Sequence, residues 1–152
     1  MANNRIAVRT AASADIPAMG RLFEEAFDEP YGAAAVGDLL KPPSAWALVA
    51  ETDRPIGFLI AQTAADEAEI LSIGVSAGYR RKGVGKTLIN SLLQRASLKG
   101  AAKIFLEVAA DNAGGIALYE AAGFERVGLR RNYYKRRGGV YVDALILRRD
   151  LP

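Results

Sequence analysis

Residues 69–88 read Glu69-Ile-Leu-Ser-Ile-Gly-Val-Ser-Ala-Gly-Tyr-Arg-Arg-Lys-Gly-Val-Gly-Lys-Thr-Leu88. Ile70 to Val75 is an apolar run of strand length. Arg80-Arg81-Lys82-Gly83-Val84-Gly85 is a basic, glycine-rich loop. Val84, Leu88, Ile89, Leu92, Leu93 and Ala96 then recur at helical spacing. A strand that feeds such a loop into a helix aims backbone N–H groups and a helix N-terminus at one spot, and that spot attracts phosphate oxygens. Gly83 and Gly85 carry no Cβ, so the backbone there can approach a bulky anion.

Spacing argues against two common phosphate loops. Gly85-Lys86-Thr87 would end a nucleoside-triphosphate loop only with a glycine at position 80, which is arginine. The dinucleotide fingerprint fails as well, because the third position after Gly85 is Leu88. What remains is Arg-x-x-Gly-x-Gly opening a helix after a buried strand. By itself this pattern also fits a basic strand–helix turn that binds nothing.

The chain has 152 residues, 51% hydrophobic and 24% charged, as expected of one globular domain spanning 1–152. No apolar run approaches the length of a membrane span. Met1-Ala-Asn-Asn-Arg5 lacks the apolar core of a signal peptide, so a cytoplasmic location is expected. There is no cysteine, which removes disulfides, thiolate nucleophiles and cysteine metal sites. There is no histidine, which removes the commonest general base and zinc ligand. No metal site is expected. Acid–base chemistry is left to Asp, Glu, Tyr, Lys, an N-terminal amine or water. The net charge of +3 suits an anionic cofactor, nucleic acid or a solvated surface. With no aromatic stacking motif, nucleic-acid binding is not expected as the primary function.

Outward from residues 69–88, the chain reads as alternating short elements. Arg5–Thr10 alternates as a first strand. Ser13 reads as an N-cap with Asp15 in the first helical turn, and Ile16, Met19, Phe23, Ala26 and Phe27 form an apolar stripe. A short helix over Ala33–Leu40 follows a break at 28–32. The acids Glu24, Glu25, Asp28 and Glu29 suit either a basic acceptor or a solvated helix end. Ala45–Glu51 and Ile56–Thr63 read as a hairpin, and Glu69 opens strand four. Lys99-Gly100 stops the long helix. Ala102–Ala109 is strand five. A helix from about Asn112 to Gly123 leads to strands six (Phe124–Tyr134) and seven (Val140–Arg148). Helical crossovers beside hairpins imply a mixed α/β sheet with helices on both faces.

Strand five contains a second constellation. Alternation puts Phe105, Glu107 and Ala109 on one face, and Ile104, Leu106 and Val108 on the other. A carboxylate on a central strand is costly to bury unless it is hydrogen-bonded or used. Tyr119, on the following helix, returns towards the strand's end. Each residue alone fits a structural role equally well: a strand-end carboxylate in water, or a core tyrosine.

Together the segments resemble a known family. The Arg80–Gly85 loop resembles the acyl-coenzyme-A pyrophosphate loop of the GNAT N-acetyltransferases. Leu106-Glu-Val-Ala-Ala-Asp-Asn-Ala-Gly-Gly-Ile-Ala-Leu-Tyr-Glu-Ala-Ala-Gly-Phe124, Arg130-Arg-Asn-Tyr-Tyr134 and Asp143-Ala144 are similar to its RimI type, the ribosomal-protein-alanine N-acetyltransferases. The resemblance implies the GNAT fold: a mostly antiparallel seven-stranded sheet in which strands four and five are parallel and splayed. It implies acetyl-coenzyme A as cosubstrate and a protein N-terminus as acceptor, the alanine of small ribosomal subunit protein eighteen. On that resemblance Glu107 is the general base and Tyr119 the acid that protonates the departing thiolate. Arg80, Arg81, Lys82, Gly83, Val84, Gly85 and Lys86 hold the pyrophosphate. Ile73, Gly74 and Val75 pair with the pantetheine arm, and Asn112 contacts the cofactor. Tyr133 and Tyr134 are candidate walls of an acceptor groove between 28–44 and 131–139.

The chain departs from the family pattern at Gly114 and Gly115. Each weakens a helix by about 1 kcal/mol relative to alanine, which would loosen the cofactor edge. Ser76-Ala77 replaces the Asp-Pro turn common before the loop. Residues 28–44, which in the family help choose the acceptor, resemble the subgroup weakly. Acetylation of a small amine, a non-catalytic acyl-coenzyme-A binder and a nucleotide binder stay open as alternatives.

Overall fold

The computed structural model describes residues 5–152. The signal-peptide reading of Met1–Arg5 falls, apart from Arg5, outside the described residues. Seven strands form one sheet in the order β1-β2-β3-β4-β5-β7-β6. They are β1 (Ala7–Thr10), β2 (Ala45–Glu51), β3 (Pro55–Ala64), β4 (Glu67–Val75), β5 (Lys103–Ala109), β6 (Glu125–Lys135) and β7 (Tyr141–Asp150). Every neighbouring pair is antiparallel except β4–β5. The helices are α1 (Ile16–Phe27), α2 (Gly32–Leu39), α3 (Val84–Leu98) and α4 (Ala113–Ala121). The mixed sheet with helices on both faces is the expected architecture, with element ends shifted by a few residues.

Alternation along the strands divides the core in two. Phe58 and Ile60 of β3 pack with Met19, Leu22 and Val36 of α1 and α2. Leu59 and Ala61 face the other way, into a larger cluster with Leu88, Ile89 and Leu92 of α3 and with Ile104, Leu106 and Val108 of β5. The expected alternation of β5 holds: its even positions are buried and its odd positions are partly open.

The feature that shapes the site is an irregularity in β4. Ile60 pairs with Ser72 and Ala61 with Ile70, which leaves Leu71 as an extra residue without a partner. A bulge of this kind bends the strand that carries it. The parallel ladder with β5 runs from Glu67–Lys103 to Ile70–Leu106 and stops at the bulge. Beyond it β4 stays with β3, while β5 continues along β7 to Ala109. Strands four and five are therefore splayed, as the family resemblance implies.

The start of α1 differs from the expectation. Ser13–Asp15 is a single 3-10 turn, and Ser13 does not cap the helix. The Asp15 carboxylate accepts instead from the Ala12 N–H at 2.8 Å and from Arg9 at 2.8 and 2.9 Å. Arg9 also reaches Glu51 at 3.0 Å, so this one guanidinium ties β1, the entry to α1 and β2 together. Two acids in the last turns of α1 also serve the fold. Glu24 accepts from the Gly32 N–H at 2.8 Å and Glu25 from the Ala77 N–H at 2.5 Å. These two carboxylates fasten α1 to α2 and to the turn after β4, and are not aimed at an acceptor.

Helices α1 and α2 touch backbone to backbone at Gly20 and Gly32. A Cβ on Gly20 would stand 2.5 Å from the Ala33 nitrogen, and one on Gly32 would overlap the Gly20 carbonyl. Helix propensity alone predicts that Gly20→Ala stabilises the protein by about 1 kcal/mol. Overpacking against immovable backbone costs about 1–3 kcal/mol. We expect Gly20→Ala to destabilise by about 1–2 kcal/mol in urea unfolding, since the opposing backbone cannot give way. Equal or greater stability would show that the helices separate freely.

Asp15 supplies a pH-dependent term. The Arg9 guanidinium, and next the Ala12 N–H, lower its pKa to about 2. The stabilisation is complete above the unfolded value of about 4 and disappears as pH falls through about 2. Arg9 is 41% exposed, so solvent screening limits the contribution. Asp15→Asn is expected to cost about 1 kcal/mol at neutral pH and nothing below pH 2, read from denaturant midpoints across a pH series. A cost independent of pH would remove the ion pair as its cause.

Candidate active site

The splay between β4 and β5 opens a cavity of about 500 Å³. Its floor is Ile70–Ile73 of β4 and Leu106–Ala109 of β5. Phe23, Phe27 and Leu39 wall it on the α1–α2 side, and Tyr134 and Arg136 on the β6 side. Asn112 and Tyr119 close it from α4. Residues 72–75 bond to β3 along one edge only, because the ladder with β5 has ended. Their other edge presents backbone donors and acceptors without a strand partner, as an added extended chain requires. Ile73 lies on the cavity, Gly74 is buried beneath Ala26 and Phe58, and Val75 continues the same edge.

The two proposed catalytic residues meet at this cavity. Tyr119 is 6% exposed, with its ring edge-on to Phe124 at 6.0 Å. Burial, and next the phenol of Tyr134, push its pKa up to about 12. It is therefore a protonated donor at neutral pH. Glu107 projects from the opposite face of β5, 24% exposed, and forms an ion pair with Arg130 at 2.8 Å. Glu69 lies near it: burial, and then the Glu107 charge, raise the Glu69 pKa, while Arg130 opposes the rise. Burial and then the same Glu107 charge raise Tyr134 as well.

Asn112 is the N-cap of α4, its side chain accepting from the Gly115 N–H at 3.0 Å. A Cβ on Gly115 would stand 2.6 Å from the Asn112 amide nitrogen. Gly115 thus leaves room for the cap, and the expected loosening is offset there by a satisfied helix start. Gly114 meets nothing, and the structure gives no reason for it. Asp111, beside the cap, holds Arg136 through two hydrogen bonds of 2.8 and 3.1 Å, which tether the β6–β7 hairpin to the start of α4.

The basic loop follows β4 as the sequence predicts. Arg80, Arg81, Lys82 and Lys86 are exposed, with the Lys82 ammonium over the Tyr79 ring at 5.5 Å. Gly83 caps α3 at φ +83, a left-handed conformation that suits glycine. The first helical bond is the Thr87 N–H to the Gly83 carbonyl, which leaves the N–H groups of Val84, Gly85 and Lys86 without intrahelical partners. Val84 itself is buried in the core, so it can serve an anion only through its backbone. Gly85 has a second steric role, since a Cβ there would press on Leu118 of α4 at 3.0 Å.

The sequence reading treated both hairpin tyrosines alike. The structure separates them: Tyr134 lines the cavity, whereas Tyr133 is 51% exposed and packs edge-on against Tyr134. From the segments 28–44 and 131–139, Leu39, Tyr134 and Arg136 line the cavity. Arg130 as a partner of Glu107 was missed, and so was Glu69. Their position in Arg130-Arg-Asn-Tyr-Tyr134 and at the start of β4 was visible, but the pairing joins strands far apart in sequence.

Comparison with known proteins agrees with this geometry. The acetyltransferase (GNAT) family pattern matches residues 16–124. A [ribosomal protein bS18]-alanine N-acetyltransferase of Salmonella typhimurium is 40% identical over 95 residues, 62% of this chain and 64% of that one. The N-alpha-acetyltransferase RimI of Mycobacterium tuberculosis is 44% identical over 84 residues, 55% of this chain and 49% of that one. Each matched segment thus spans less than two thirds of the relative. The crystal structure of the ribosomal-protein-S18-alanine N-acetyltransferase from Escherichia coli superposes with a TM-score of 0.89 at 29% identity, covering 97% of this chain and 94% of that one. A splayed parallel pair, a basic loop at the head of α3 and a profile match across most of the chain lead to one conclusion: this protein belongs to the acetyltransferase (GNAT) family.

Proposed function

We propose that residues 1–152 form one N-acetyltransferase domain that moves acetyl from acetyl-coenzyme A to the N-terminal amine of a protein. The observation that carries this reading is the convergence of a protonated, buried Tyr119 and the carboxylate of Glu107 on one cavity at the β4–β5 splay. The relatives named for bS18-alanine acetylation support an N-terminal alanine of that ribosomal protein as the acceptor. Action on a ribosomal protein places the work in the cytoplasm. Among the described residues no helix is long and apolar enough to cross a membrane.

The cosubstrate has matching surfaces along the splay. The unpaired N–H groups of Val84, Gly85 and Lys86, with the cations Arg80, Arg81, Lys82 and Lys86, suit a pyrophosphate. The open edge of Ile73–Val75 suits the amides of a pantetheine arm, and Asn112 lies beside its path. An acceptor amine entering past Leu39 and Tyr134 would reach the thioester carbonyl from the Glu107 side.

The transfer balances with these residues alone. The amine nitrogen attacks the thioester carbonyl carbon, and its proton passes to Glu107 through one water. The C–S bond breaks, Tyr119 protonates the departing sulfur, and exchange with solvent then takes the proton from Glu107 and restores that of Tyr119. Backbone N–H groups at the splay are placed to polarise the carbonyl oxygen. With no cysteine in the chain, direct transfer in a ternary complex needs no acyl-cysteine intermediate.

A short peptide beginning Ala-Arg-Tyr is expected to be acetylated at its α-nitrogen, located by mass spectrometry, while its N-acetylated twin stays inert. Rapid turnover of a small amine with the peptide inert would replace the acceptor and keep the family. Tyr119→Phe is expected to lower kcat at least about a hundredfold, with acetyl-coenzyme-A affinity nearly unchanged, because the lost proton matters in the transition state. Wild-type turnover in that variant would remove Tyr119 from the acid role.

A further inference from the structure

Glu107 stands among groups that would push a carboxylate out of place. Glu69 of β4 shares a second cavity with it, about 300 Å³, lined also by Gln62, Phe105, Arg130 and Ile146. Tyr134 of β6 adds a phenol close enough to interact with it. Arg136 is the guanidinium on the main cavity, and Asp111 already holds it by two hydrogen bonds. Among the described residues, Arg130 is the cation in direct contact with it, its Nε 2.8 Å from Glu107 Oε1.

The backbone is arranged to bring Arg130 there. Arg130 pairs with Ala144 and Tyr134 with Val142, so 131–133 bulge out opposite the single residue Asp143. Asn132 takes a left-handed φ of 52°, and its N–H donates to the Asp143 carboxylate at 2.9 Å. This pinned bulge lays the Tyr133 ring against the Arg130 guanidinium, 5.5 Å from centroid to Cζ. Glu107 pairs across β5–β7 with Ile146, which in turn pairs with Gly128. Gly128 presents no side chain, and Ala144 beside it presents one methyl. The guanidinium reaches the carboxylate diagonally across β7, past the small Ala144 and beside Ile146.

Resting on the acetyltransferase reading of this cavity, we infer that Arg130 is the positioning residue of Glu107. It holds one carboxylate oxygen against the repulsion of Glu69 and leaves the other for the acceptor's proton. The pair is 54% and 24% exposed, so it adds little to stability. Its effect is on geometry, where a small misplacement of a base costs far more in rate than in folding.

The test is steady-state acetylation of the Ala-Arg-Tyr peptide by wild type, Arg130→Gln, Arg130→Lys, Glu107→Gln and the Glu107→Gln/Arg130→Gln double variant. Arg130→Gln is expected to lower kcat about tenfold to a hundredfold, with both KM values within about twofold and an unchanged thermal midpoint. Arg130→Lys should recover part of the loss. In the Glu107→Gln background, Arg130→Gln should cost nothing further, since there is no carboxylate left to position. Wild-type kcat in Arg130→Gln, or the same fold-loss in both backgrounds, would overturn the inference. If wild type acetylates no peptide, the protein N-terminus fails as acceptor by itself. Crystal structures of wild type and Arg130→Gln then decide the positioning. Glu107 held in one rotamer by Arg130, and displaced in the variant, supports it; an unmoved carboxylate overturns it.

Discussion

The unpartnered Leu71 in β4 is the constraint from which the site follows. A continuous parallel ladder between β4 and β5 would leave no room for a ligand. The bulge ends that ladder at Ile70–Leu106. The open edge of 72–75, the cavity beneath it and the approach of α4 all depend on this single break in register. The cost is a row of backbone groups without strand partners in the middle of a sheet, and such groups are retained where they meet water or a ligand. Packing on both faces holds the break open: Phe58 and Ile60 anchor one side on α1, and Leu59 and Leu106 anchor the other on α3.

Around that opening, charge is distributed by local pairing rather than by net excess. The β6–β7 hairpin is rich in arginine. In the structure Arg130 pairs with Glu107, Arg136 with Asp111, Arg137 with Asp28 and Arg148 with Asp150. Arg149 donates to the Ala122 carbonyl at 2.5 Å. Most of the hairpin's arginines are thus engaged by the fold, and several of those contacts border the cavity. The loop at 80–86 is the opposite case: among the described residues its cations form no ion pair with a carboxylate, and α3 starts without a side-chain cap. Both features suit an anion.

Much of this was legible from residues alone, and for local reasons. The run Ile70–Val75, the glycines at 83 and 85 and the helical spacing from Val84 to Ala96 are short-range patterns, and short-range patterns survive without a tertiary context. Alternation in 103–109 separates Glu107 and Leu106 onto opposite faces, and the structure makes the Glu107 face the more open one. Local signals misled where a side chain had a distant alternative. Ser13 has the chemistry of a cap, but the chain turns one residue differently because Asp15 is claimed by Arg9 of β1. Glu24 and Glu25 read as a free acidic helix end, yet they accept backbone N–H groups up to 52 residues away.

The sequence by itself determined the alternation of strands and helices, the basic glycine-rich loop after strand four, and the few side-chain types (Asp, Glu, Tyr and Lys) left for proton transfer in a chain without histidine or cysteine. It also carried the family resemblance through motifs that lie on contiguous segments. Only the tertiary structure decided that Leu71 ends the parallel ladder, that Tyr134 and not Tyr133 lines the cavity, and that Arg130 meets Glu107 across a strand. These are matters of register and of bulges, and both are set by how separate strands settle against one another. A one-residue slip in any of them would turn the same side chains to the other face.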